Sequence, residues 1–168
     1  IAVGILAAAL VSIMGLVLSN LKAQTVTEEQ LIAANLAREG IEVIRQQRDS
    51  NWLAGAAWDA GLNTSVNARV ALSTPYPAWT INFDPADTKL YRTANLYTHD
   101  SSGATTQYSR AIKLESVCRD DGVDDTVDDT EESTTCSAGD KVGIEVHSNV
   151  SWSDTENFVL KDRLYNWR

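Results

Sequence analysis

The 168 residues carry 14 Lys+Arg against 23 Asp+Glu, a formal net charge of -9, and a balance this acidic argues against nucleic-acid binding, which needs a basic face for phosphate. With 43% hydrophobic and 22% charged residues, the composition folds rather than staying disordered, and the length allows one or at most two domains. The mean hydropathy of -0.21 conceals a very uneven chain.

Residues Ile1 to Leu21 contain no charge, and only Ser12, Ser19 and Asn20 are polar. About 20 such residues cross a bilayer core as a helix. The run lacks the basic start of a secretory signal, so it is expected to remain on the mature protein as an anchor. Gly4, Ala8, Ser12, Gly15 and Ser19 follow one another at helical spacing. They share one face of a helix, where small side chains let neighbouring helices approach closely. These five are the candidate assembly residues.

After Lys22 the pattern turns amphipathic. Ala33, Leu36, Ala37, Gly40, Ile41 and Ile44 recur at three- and four-residue spacing, which predicts one apolar stripe on a helix. Arg38, Glu39, Glu42, Arg45 and Arg48 lie mainly off it. No proline precedes Pro75, so the two stretches read as one helix ending near Asp49-Ser50-Asn51, on the order of 70 Å long. From 51 to 88 the periodicity is poor and Pro75, Pro77 and Pro85 cluster. This is read as an irregular connecting region, with a short strand at Trp79 to Phe83.

Beyond it the period becomes two. Leu90 to Tyr97, then Tyr108, Arg110, Ile112 and Leu114, then Val142, Ile144, Val146, Val150 and Trp152, then Phe158, Leu160 and Leu164 read as strands. Turns are expected at Asp100 to Gly103 and at Ser153-Asp154. The fold class is therefore α+β: a long N-terminal helix packed on an antiparallel sheet of about four strands. The domain plan is a spine helix over 1–50, with 1–21 as its membrane or filament-core segment, and a head over 51–168. In the head, 51–88 connects and 89–168 forms the sheet with a loop at 118–136.

Cys118 and Cys136 are the two cysteines. A large Ser/Thr/Asn/Asp share points to an exported chain, where a disulfide is the default. A zinc site is disfavoured, because His99 and His147 show no ligand spacing with them. The enclosed loop holds eight carboxylates and one cation, Arg119, so it carries -7 of the net -9. Asp120, Asp121, Asp124, Asp125, Asp128 and Asp129 are candidate calcium ligands, although their spacing does not match the EF-hand pattern and a solvated acidic loop is the other reading. No cofactor is expected besides that calcium. The chain has no Gly-rich phosphate loop, no HExxH and no CxxC, and it is read as non-enzymatic.

A retained apolar helix, an amphipathic continuation, an irregular loop, an antiparallel sheet and a late cysteine pair together resemble the type IV pilin and pseudopilin family. Ile1-Ala2-Val3-Gly4-Ile5-Leu6-Ala7 is similar to the hydrophobic part of the prepilin N-terminal segment. Ala37-Arg38-Glu39-Gly40-Ile41-Glu42-Val43-Ile44-Arg45 with Asn51-Trp52, and the ending Leu164-Tyr165-Asn166-Trp167-Arg168, also resemble bacterial prepilin-like proteins. The family's cleavage glycine, methylated first residue and assembly glutamate precede the hydrophobic stretch. No acidic residue occurs here before Glu28, so either those features lie ahead of Ile1, which is the expectation, or the contact that the family makes through that glutamate is missing. The resemblance further implies a filament subunit that waits in the inner membrane, meets the pilus assembly machinery, and then stacks with copies of itself into an extracellular filament. The alternatives are a low-abundance pseudopilin of a secretion system and a single-pass membrane-anchored binding module.

Overall fold

The computed structural model describes residues 2–62, 67–73, 78–83, 87–119, 130–133, 136 and 141–166. Helix α1 runs Ala2–Leu53. The strands follow as β1 Asn67–Ser73, β2 Ala78–Phe83, β3 Lys89–Thr93, β4 Leu96–Thr98, β5 Ala104–Arg119, β6 Thr130–Ser133, β7 Lys141–Ser151 and β8 Asn157–Tyr165. The chain falls into two compact units, Ile1–Ile32 and Ala33–Arg168.

In the second unit, the predicted stripe of α1 is the buried face: Ala33, Leu36, Ala37, Gly40, Ile41 and Ile44 are all buried. It rests on Ala68 and Val70 of β1, Ile112 and Leu114 of β5, Ile144 and Val146 of β7, and Leu164 of β8. Each fully buried Leu, Ile or Val contributes about 1.5–3 kcal/mol relative to exposure. Gly40 marks a close crossing of helix and sheet. A Cβ built there would lie 2.7 Å from Ser148 Oγ and 3.1 Å from Ile112 Cδ1, so only glycine fits. Ser148 is thus a small residue facing the core, in phase with Ile144, Val146 and Val150, rather than a break in the alternation of β7.

The helix does not stop at Asp49-Ser50-Asn51 as expected. Asn51 is buried, and its Nδ2 donates to the carbonyls of Trp58 (3.0 Å) and Ala60 (2.8 Å). The poor helix former is therefore kept as a tie to the next segment. The end comes at Gly55, whose φ of +68° suits a left-handed helix stop. The Ala56 N–H donates to Asn51 O there.

All strand pairings are antiparallel, and the sheet has eight strands among the described residues rather than about four. Strand β5 is its long member. Strand β7 covers one edge of it, from Ser109↔Ser151 to Cys118↔Lys141. The opposite edge takes three short strands in succession: β3 at residues 104–109, β1 at 112–113 and β6 at 116–119. Strand β8 lies outside β7, β2 outside β1, and β4 outside β3.

Three differences from expectation account for the count. The region 51–88 is not irregular throughout, since Ala68, Val70 and Leu72 alternate with polar or small neighbours and form β1, paired to β2. The stretch Leu90 to Tyr97 is a hairpin, turned at Ala94 (φ +47°) and Asn95 (φ +68°), a two-residue turn of the kind that glycine usually marks. Strand β6 has no apolar residue to announce it and is held by pairing to the end of β5.

Candidate functional site

The first unit is set apart by its apolar surface. Its helix is long and apolar enough to cross a membrane, with a mean hydropathy of 2.4 over 18 residues, none of which is buried. Leu10, Val11, Ile13, Met14, Leu16, Leu18 and Leu21 are all more than half exposed. Gly4, Ser12, Gly15 and Ser19 are exposed too, and a Cβ on Gly4 or Gly15 would meet nothing within 4 Å. Ala8 lies in the same helix. The predicted assembly residues are thus brought onto one helix, and the two glycines stand open to an incoming surface. Past the apolar run, the Thr25 and Thr27 hydroxyls donate to Leu21 O and Ala23 O one turn back, which satisfies them locally.

In the second unit, polar chemistry gathers at two places. The first is Arg110, fully buried on β5. Its Nη1 donates to Leu36 O of the helix at 3.0 Å, its Nη2 to Val70 O of β1 at 3.2 Å, and Glu39 Oε2 lies 3.3 Å away. Burial pushes this guanidinium below its ordinary pKa, and Glu39 opposes the shift. The group fastens helix to sheet. His99 lies in the same electrostatic neighbourhood. It is buried, it shares a 2.9 Å hydrogen bond between Nδ1 and Lys89 O, and its pKa falls to about 4 through burial and the nearby positive charges of Arg110 and Arg69. It is therefore neutral at physiological pH.

The second place is a charged ladder on the sheet face away from the helix. The registers Lys113↔His147↔Lys161 and Glu115↔Glu145↔Arg163 stack two rows across β5, β7 and β8. Glu145 is nearly buried, with Arg163 Nε at 2.9 Å, His147 Nε2 at 3.0 Å and Lys161 Nζ at 3.3 Å. Lys113 Nζ lies 2.5 Å from Glu115, and that contact holds the Glu115 carboxyl below its usual range. Neither histidine has a hydroxyl or thiol as partner among the described residues, so no nucleophile and base are paired there. This ladder escapes sequence reasoning because it depends on strand register. Its signal in the sequence is the charged or titratable residue at alternate positions of β5, β7 and β8.

Cys118 and Cys136 form the expected disulfide. The candidate calcium ligands Asp120, Asp121, Asp124, Asp125, Asp128 and Asp129 lie outside the described residues. Among the described residues, no group of three His, Cys, Asp or Glu side chains is arranged to hold a metal ion. Compared with protein-family models, curated proteins and solved structures, the chain matches none of them.

Proposed function

We propose that this chain is the structural subunit of a type IV pilus-like filament and not an enzyme. The observation that carries the reading is the uncharged helix of the first unit, whose described apolar side chains from Leu10 to Leu21 stand exposed. Such a surface is satisfied by lipid before assembly and by the helices of other copies afterwards. On this reading the chain rests in the inner membrane, is taken up by an assembly machine, and ends in an extracellular filament with apolar helices inside and heads outside. Supporting it further are the pilin-like order of parts, the exposed Gly4 and Gly15, and a head whose polar clusters are ion pairs and a helix-to-sheet fastening. No nucleic-acid partner is proposed.

Electron microscopy of sheared surface material, with antibody against the head, tests the reading. Labelled filaments are expected. Finding the chain only as monomer in membrane fractions would leave a membrane-anchored binding module in its place, and its detection as a trace component of a secretion complex would make it a pseudopilin.

A further inference from the structure

Between Ile1 and Ala37 the chain has three charged side chains, Lys22, Glu28 and Glu29. Lys22 closes the uncharged run, and both Lys22 and Glu28 are exposed on the helix. They do not pair with each other. Six residues separate them, which is about 9 Å along the axis and about 120° around it, whereas pairs on one helix form at three or four residues.

We infer that Lys22 of one copy pairs with Glu28 of a neighbouring parallel copy, and that this contact sets the stagger between adjacent subunits at about 9 Å. The inference rests on the filament reading and adds its register. Parallel helices at equal height put lysines level with lysines and glutamates level with glutamates. A shift of six residues instead puts each ammonium level with a carboxylate. Because the two charges lie on different sides of the helix, each copy gives its cation to one neighbour and its carboxylate to another. A contact between two different patches with an axial offset is head-to-tail and does not close, so its repetition generates a screw rather than a ring. The position of Lys22 adds force. When the apolar segments gather, its ammonium comes to the edge of a poorly polar region, where an unpaired charge is costly and a paired one is strengthened.

The test uses the full chain carrying Lys22→Glu, Glu28→Lys, or both, with filament yield read by electron microscopy and membrane content by immunoblot. Each single reversal is expected to lower filament yield roughly fivefold or more at low ionic strength. The double reversal should restore most of it, with membrane content unchanged throughout. In a second measurement, chains carrying Lys22→Cys and Glu28→Cys are co-expressed and treated with a short bis-maleimide; the mixed pair should cross-link in filaments and neither chain alone should. Wild-type yield from both single variants, or cross-links between like positions, overturns the register while the filament stands. A Lys22→Glu chain lost from membranes and not rescued by Glu28→Lys assigns the lysine to the membrane interface and also overturns it. Absence of filaments from the unaltered chain overturns the filament reading and the pairing with it.

Discussion

Replacing Gly40 with alanine should destabilise the head, although the same change at an exposed helical site stabilises. Alanine gains about 1 kcal/mol over glycine in a helix interior. At Gly40 the new methyl would sit 2.7 Å from Ser148 Oγ, 3.1 Å from Ile112 Cδ1 and 3.4 Å from Arg110 Cδ. The first contact is shorter than real Cβ atoms tolerate, and Ser148 is fully buried, with its hydroxyl one bond from Cβ and no hydrogen-bond partner among the described residues. Overpacking of this kind costs about 1–3 kcal/mol, so the net loss should be about 0–2 kcal/mol. Ser148→Ala removes both the obstructing oxygen and an unsatisfied buried hydroxyl, and should be neutral or stabilising by about 1 kcal/mol. In that background Gly40→Ala should cost less, giving a coupling energy of about 0.5 kcal/mol or more. Urea unfolding of the detergent-solubilised chain, followed by tryptophan fluorescence, measures all four corners of the cycle. A Gly40→Ala midpoint above that of the parent, with no coupling to Ser148→Ala, would refute the close crossing.

Three further outcomes are expected. Ala94 holds a left-handed φ of +47° in the β3–β4 turn, so Ala94→Gly should raise stability by about 0.5–1 kcal/mol in the same assay. His99 titrates at about 4 in the folded chain against an ordinary 6.5. Its contribution is therefore complete above pH 6.5 and is lost as the pH falls toward 4, by on the order of 1–3 kcal/mol; His99→Gln should flatten the stability curve over that window, and an unchanged slope would count against a buried neutral imidazole. Removing the Cys118–Cys136 bridge by paired alanine substitutions should cost about 3 kcal/mol, given the size of the loop that it closes, and a shift under 1 kcal/mol in the urea-derived stability would show that it constrains little.

How much could be read from the sequence follows from what each feature depends on. The stripe from Ala33 to Ile44 and the alternations of β5, β7 and β8 depend only on the local period of apolar residues, and all four elements form where that period lies. Strand β1 carries the same signal in Ala68, Val70 and Leu72, but its neighbourhood of prolines points to irregular structure. The Ala94-Asn95 turn lacks the usual glycine, and β6 lacks any apolar residue, so neither has a local signature. Arg110 sits in the apolar phase of β5, and that phase gives its direction. Its targets, Leu36 O and Val70 O, belong to elements brought together only by the fold. The ladder around Glu145 likewise depends on a cross-strand register that no single segment contains.

The arrangement of three short strands in tandem along one edge of β5 has a consequence for how the head opens. Among the described residues, hairpin β1–β2 pairs with β5 in the ladder at two positions, Asn67↔Lys113 and Ala68↔Ile112, while β7 runs beside β5 along most of its length. Amides of the β5–β7–β8 meander are therefore expected to exchange with solvent deuterium only through global unfolding. Each short strand on the far edge pairs with its own stretch of β5, so the outer strands β2 and β4 are expected to fray before the strands that they flank. The outer strands β2 and β4 are therefore where insertions, nicks and changes of surface character are tolerated at least cost, since β1 carries Ala68 and Val70 into the core beneath the helix.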